Sequence, residues 1–255
     1  MSLTKAQFER YHDALSRIDS STAAELEKAL KTAWRRGGRS DPKALRKITV
    51  DIAKDIADKY GLEAGAVSAA LWEDIYYNDT GSRLEALLPN MEDYYYDYMG
   101  EAAAQMVEKY MDQGELDKAL EFLTAITTKA VREWARRTQT SNTERVYRQR
   151  RKGADEARWA RVPVGDDACA WCVMLASRGF VYVSEWTAKY RQDGEKYHDH
   201  CRCEVISSFD KNPVIEGYDP NEYLKMYEAG RRFDSQGRVD LTTTLYNMRQ
   251  AYGLR

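Results

Sequence analysis

The sequence predicts a mainly α protein: a multi-helix N-terminal domain over 1–155, a small α+β zinc-binding module over 156–210 and a helical C-terminal tail over 211–255. Three observations carry this expectation. Apolar residues recur every three or four positions through the first half; all 4 cysteines of the 255-residue chain fall within 169–203; and short β-branched runs flank those cysteines. A composition of 43% hydrophobic and 31% charged residues belongs to a soluble globular chain with a well-solvated helical surface, not to a disordered one. No run approaches the roughly 20 apolar residues of a membrane span, and the opening MSLTKAQFERYH lacks the apolar core of a secretion signal. The chain is therefore expected to stay in the compartment that makes it, with no membrane partner.

The first helix is expected over 4–18, where Phe8, Tyr11, Leu15 and Ile18 form one stripe. Thr22 reads as the cap of a second helix, with Glu25 reaching back three residues later and Leu26, Leu30 and Trp34 on the buried face up to Gly37-Gly38. Asp41 followed by Pro42 opens a third, with Leu45, Ile48, Ile52 and Ile56 as its apolar row and Gly61 as its stop. Val67, Leu71 and Ile75 continue the spacing to the turn formers Asn78-Asp79-Thr80-Gly81, and Pro89-Asn90 marks another break. Tyr94, Tyr95, Tyr96 and Tyr98 then lead into a helix over 102–111. Helical spacing spreads those rings around the circumference, so they read as core-edge residues and not as a stacking platform. A further helix follows Gly114 over 116–137. Thr-Gln-Thr-Ser-Asn-Thr at 138–143 is polar and hydroxyl-rich, which predicts an interruption and a hinge. Beyond Pro163, Gly-Phe-Val-Tyr-Val at 179–183 and Cys-Glu-Val-Ile at 203–206 read as short strands, and the tail closes with weak helical patterns through Tyr223 and Tyr227 and over 241–252.

The net charge of −2 gives no global attraction to nucleic acid, so any such contact has to come from a local patch. One strongly basic stretch exists, concentrated in Arg145, Arg148, Arg150, Arg151 and Lys152. It reads either as a solvated face beside acidic neighbours or as a contact for DNA phosphates or an acidic partner.

Cys169-Ala170-Trp171-Cys172 places two sulfurs on one tight turn, the spacing that lets both reach one zinc ion at about 2.3 Å. His198-Asp199-His200-Cys201-Arg202-Cys203 offers further donors. Spacing favours Cys169, Cys172, Cys201 and His198, three positions before Cys201, with Cys203 and His200 as alternates. A thioredoxin-like redox pair has no second Cys/His cluster downstream, and an extracellular disulfide framework spreads its cysteines more widely. Four protein ligands leave no open position for an activated water, so the expected zinc is structural. HExxH, a Ser-centred elbow and a glycine-rich phosphate loop are all absent from the sequence, which argues against an enzyme and a small-molecule substrate.

Ala160-Arg161-Val162-Pro163, then the Cys-x-x-Cys segment running to Gly179, then Tyr197-His198-Asp-His-Cys201-Arg-Cys203, together resemble the MuF-like minor capsid family of tailed bacteriophages. The likeness covers about 130–210. It implies a non-enzymatic head-morphogenesis protein docking on portal and major capsid proteins, present in the host cytoplasm during assembly and then in the virion head, with packaged DNA as a possible contact. It places the metal positions at Cys169, Cys172, His198 and Cys201. The competing expectations are a head-associated hydrolase, either maturation protease or nuclease, using His198 or His200, and a DNA-binding regulator.

Overall fold

Residues 5–37 form one helix where the sequence pattern predicts two. In the computed structural model, which describes residues 3–37, 42–92, 99, 101–165, 168–183 and 203–255, the described elements run α1 (Lys5–Gly37), α2 (Pro42–Thr80), α3 (Glu101–Asp112), α4 (Leu116–Arg148), β1 (Arg158–Val162), α5 (Ala170–Ala176), β2 (Glu204–Ser208), α6 (Pro220–Gly230) and α7 (Leu241–Tyr252). The protein is mainly helical, as expected. α1 passes through Thr22 because that side chain does not cap: it is buried, and its hydroxyl donates to the Ile18 carbonyl one turn back at 2.8 Å. Leu26, Leu30 and Trp34 are buried as their spacing predicts.

Gly61 does not stop α2. The helix continues because the glycine lies against the Trp134 indole, where a Cβ would come within 2.2 Å of Cδ1. Glycine is required there for close approach, not for termination. Gly61→Ala gains helix propensity of about 1 kcal/mol but must displace a packed indole. A net loss of about 1–3 kcal/mol in chemical denaturation is expected, and an unchanged midpoint would contradict this packing. The buried stripe of α2 is also offset from the predicted row. Ile48 is exposed, while Val50, Ala53, Ile56, Ala57 and Tyr60 are buried. The helix ends at Thr80, followed by Gly81 at φ 67, as the turn formers predict. Asp41 and the tyrosines at 94–98 lie outside the described residues.

The hydroxyl-rich stretch 138–143 does not interrupt the helix. α4 continues through it, and Thr138, Gln139, Thr140, Asn142 and Thr143 are buried. Thr138 donates to the Trp134 carbonyl at 2.8 Å and Thr143 to the Gln139 carbonyl at 2.8 Å, so these hydroxyls satisfy themselves within the helix.

Contacts divide the chain into two units, one of Asp13–Ala69 and Leu87–Thr138, the other of Met1–His12, Ala70–Ala86 and Gln139–Arg255. In the first, buried Leu26, Leu30, Ile56, Val107, Leu123 and Val131 belong to the helical core. Trp34 donates its indole N–H to Thr49 Oγ1 at 3.1 Å, Ser68 donates to the Ala135 carbonyl at 2.7 Å, and the nearly buried Arg132 pairs with Asp19 at 2.7 Å.

In the second unit, β1 and β2 form an antiparallel ribbon in which Trp159 opposes Ser207 and Arg161 opposes Val205. Only part of this ribbon was expected. The segment at 179–183 contributes a single bridge, Tyr182 to Trp159, and the true partner of β2 is the Arg-Trp-Ala-Arg-Val segment. The ribbon is sewn to α4 by polar groups. Gln139 Oε1 accepts from the Ser207 N–H at 3.2 Å, and Thr143 Oγ1 stands 2.7 Å from Ser207 Oγ and accepts from the Trp72 indole at 3.1 Å. The start of the chain joins the same unit: the Leu3 N–H donates to the Val214 carbonyl at 2.9 Å, and Leu3 bridges Ile215 in parallel. α6 begins with Asp219 as N-cap and Pro220 in the first turn; α7 begins with Asp240 as N-cap and ends at Gly253 in the left-handed conformation. Leu241, Leu245 and Met248 of α7 and Tyr223, Met226 and Tyr227 of α6 pack with Val173, Met174 and Leu175 of α5.

Candidate functional site

The seven-residue helix α5 separates two apolar clusters. Toward the tail it offers Val173, Met174 and Leu175; toward the ribbon it offers Cys172. Cys169 is its N-cap, with extended backbone and a sulfur that accepts the Cys172 N–H at 3.2 Å. The tight turn read from the spacing is therefore present, with one backbone donor already directed at a sulfur. Cys203 enters from the residue before β2, and alternation puts it on the same ribbon face as Val205.

Cys169, Cys172, Cys203, Trp159, Tyr182 and Val205 form one buried cluster, with the three cysteines 7%, 2% and 1% exposed. Cys172 Sγ and Cys203 Sγ are 3.3 Å apart. That is far beyond the roughly 2.05 Å of a disulfide and about 0.5 Å short of the ~3.8 Å that two sulfurs take on a tetrahedral zinc with 2.3 Å bonds; it is the separation of a thiol hydrogen bond. Among the described residues no group of three donors stands ready to hold an ion alone. The chemistry of the wall nonetheless fits a thiolate centre. The Trp159 indole N–H is buried with no acceptor among the described residues, and the Trp159 ring stacks on Tyr182 at 4.5 Å. An indole donor in the wall is the kind of outer group that steadies ligating sulfurs.

The predicted donors thus divide. Cys169 and Cys172 come together with Cys203, one of the two alternates, while His198, His200 and Cys201 lie outside the described residues. Sequence reasoning missed Trp159 and Tyr182 as the aromatic wall, and Arg-Trp-Ala-Arg-Val carries no apolar alternation that would have marked β1. It also missed His12, whose Nδ1 stands 3.3 Å from the fully buried Glu204 carboxylate beside Cys203.

The knuckle is clasped from the other end of the unit. The Ala170 N–H donates to the Arg255 carbonyl at 2.9 Å and the Arg255 N–H to the Ala168 carbonyl at 3.3 Å, bracketing Cys169, while Leu254 packs on the α5 cluster. At about 1 kcal/mol for each backbone bond, deleting 253–255 should cost about 2 kcal/mol in urea denaturation. A loss below about 0.5 kcal/mol would mean the clasp contributes nothing.

The basic stretch is also sorted by the fold. Arg145 turns inward to donate to the Glu85 carbonyl, and its pKa is lowered chiefly by burial and next by Arg151. Arg148 pairs with Glu144 and Arg150 with Asp155 at 3.5 Å, both on the surface. Arg151 donates to Gln149 at 3.2 Å, and Lys152 is exposed.

Among the described residues no helix is long and apolar enough to cross a membrane. A sequence-family model described as VG15 protein matches residues 2–230. The Gene 15 protein of Mycobacterium phage L5 is 33% identical over a stretch covering 20% of this chain and 29% of that protein. The Gene 15 protein of Mycobacterium phage D29 is 34% identical over 20% of this chain and 28% of its own length. The match therefore spans under a third of these relatives. No solved structure matches the chain.

Proposed function

Because this chain belongs to the VG15 family of bacteriophage proteins, we propose that it is a minor structural protein of a tailed-phage head, acting in head morphogenesis by docking on portal and capsid subunits. The observation that carries this reading is the convergence of Cys203 on Cys169 and Cys172. It joins the two halves of the MuF-like cysteine pattern, far apart in sequence, in one place. Structural zinc is the cofactor of that module: Cys169, Cys172 and Cys203 supply thiolates, and His198, His200 and Cys201 are the candidates for the remaining position. Burial of the sulfurs behind Trp159 and Tyr182 supports a structural centre over a catalytic one, since a hydrolytic metal needs an approach for substrate and water. The helices of 1–155 are the docking portion.

The test is direct. Purified heads should contain the protein at low copy, and chemical cross-linking during assembly should join its N-terminal helices to portal or capsid subunits. Absence from heads, or cross-links to neither, overturns the proposal. Incubation with capsid precursor and with DNA should leave both intact; metal-dependent cleavage of either would favour the hydrolase reading.

A further inference from the structure

The turn that closes α4 carries charge that head docking does not use. Its backbone is a Schellman turn: the Arg150 N–H donates to the Tyr147 carbonyl at 3.3 Å and the Arg151 N–H to the Val146 carbonyl at 3.1 Å, with Arg150 at φ 50. This left-handed position ordinarily holds glycine, because any Cβ is strained there. Here it holds a long cation, whose guanidinium lies 5.3 Å from the centroid of the Tyr147 ring. A second pair of the same kind stands on the neighbouring segment, with Arg83 4.9 Å from the Tyr77 ring centroid. That segment is tied to the turn. Arg145 donates to the Glu85 carbonyl, Tyr76 donates to the Lys152 carbonyl at 3.0 Å, and Lys152 Nζ lies beside Gly81.

Tyr77, Arg83, Tyr147, Arg148, Arg150, Arg151 and Lys152 are all exposed. Among the acids of these segments, Glu144 pairs with Arg148 and Asp155 with Arg150, while Glu85 and Glu156 add negative charge. Complementing the helix dipole accounts for Arg148. It does not account for Arg83, which is on another segment, nor for Arg151 and Lys152, which lie beyond the end of the helix. Charge is depleted at the core of a protein-docking patch, whereas this surface gathers Arg83, Arg148, Arg150, Arg151 and Lys152.

We propose that the α4 turn and the segment 81–85 form a sequence-independent binding surface for the phosphodiester backbone of nucleic acid. Arg83 and Arg150 lie over tyrosine rings that support their guanidinium groups, phosphate oxygens would displace Asp155 from Arg150, and Arg151 and Lys152 add point contacts. Arg145 is not a contact; it anchors the segment.

Fluorescence anisotropy of the full chain with a labelled DNA duplex, a thymidine oligonucleotide of the same length and polyglutamate tests this. Duplexes of unrelated sequence should bind alike, with affinity falling about 100-fold between 50 and 200 mM salt, as for about four phosphate contacts. Arg83→Ala, Arg151→Ala and Lys152→Ala should each flatten the salt slope by about 1. Arg150→Gly is the deciding variant: glycine suits the backbone, so the melting temperature should hold while the slope flattens. Arg145→Ala should lower the melting temperature with the slope unchanged. Tighter binding of the single strand with the same variant pattern retains the proposal. Salt-independent binding, equal affinity for polyglutamate, or wild-type binding by Arg150→Gly overturns it. None of these readouts depends on the protein being found in heads.

Discussion

Protein purified without chelator should carry stoichiometric zinc, and Cys172→Ser with Cys203→Ser should lose both the metal and the fold of the α5–ribbon module. The two sulfurs stand 3.3 Å apart in a buried cluster, so removing them takes away a shared edge of the proposed coordination sphere. Magnitude decides between the two accounts of this cluster. A structural zinc contributes on the order of 10 kcal/mol to a small module, whereas replacing two buried thiols that only pack costs about 1–3 kcal/mol each. Elemental analysis and thermal melts with and without a strong chelator separate them. A double variant that melts within a few degrees of the native protein, together with a chelator that shifts nothing, would end the zinc reading. Single variants sharpen it further: Cys203→Ser should be as damaging as Cys169→Ser.

The second large effect is expected at Trp72, which is fully buried. Its ring stacks on Tyr76 at 5.2 Å, meets Phe209 edge-on at 5.5 Å and donates its N–H to Thr143. Trp72→Ala should destabilise by about 3–5 kcal/mol, because the surrounding helices and ribbon cannot collapse fully into the space. Trp72→Phe keeps most of the ring contacts and loses the hydrogen bond, for about 1–2 kcal/mol. Combined with Thr143→Val, the phenylalanine variant should show non-additive losses in equilibrium denaturation. A loss below 1 kcal/mol for Trp72→Ala would contradict the packing described.

What the sequence revealed and what it concealed follow one rule. Periodic apolar stripes such as Leu26, Leu30 and Trp34 were legible because burial repeats with the helix. Stop signals were misleading wherever a distant residue answered them. Gly61 reads as a terminus until Trp134 is known to press on it, and Thr-Gln-Thr-Ser-Asn-Thr reads as a helix break until Ser207 and Trp72 supply its partners. β1 was hidden because Arg158 and Arg161 made it look like a continuation of a basic surface tract, although Arg161 is buried. At the candidate site the cysteine block stood out by composition alone. The place of Cys203 beside Cys172 did not, since it depends on β2 beginning at Glu204 and on the pairing that sets its face. Likewise the basic run looked uniform in sequence, and only the fold separates inward-turned Arg145 from Arg150 and Lys152.

The bridge between Leu3 and Ile215 also sets a clock. A ribosome adding about 5–20 residues per second needs on the order of 10–40 s between making the two sides of that contact. The unit formed by Asp13–Ala69 and Leu87–Thr138 has all of its residues once position 138 has emerged, and can settle during that wait. The unit containing the cysteines has to close around Leu3, synthesised long before Ile215. Its folding is therefore governed by non-local closure and should be the slower of the two.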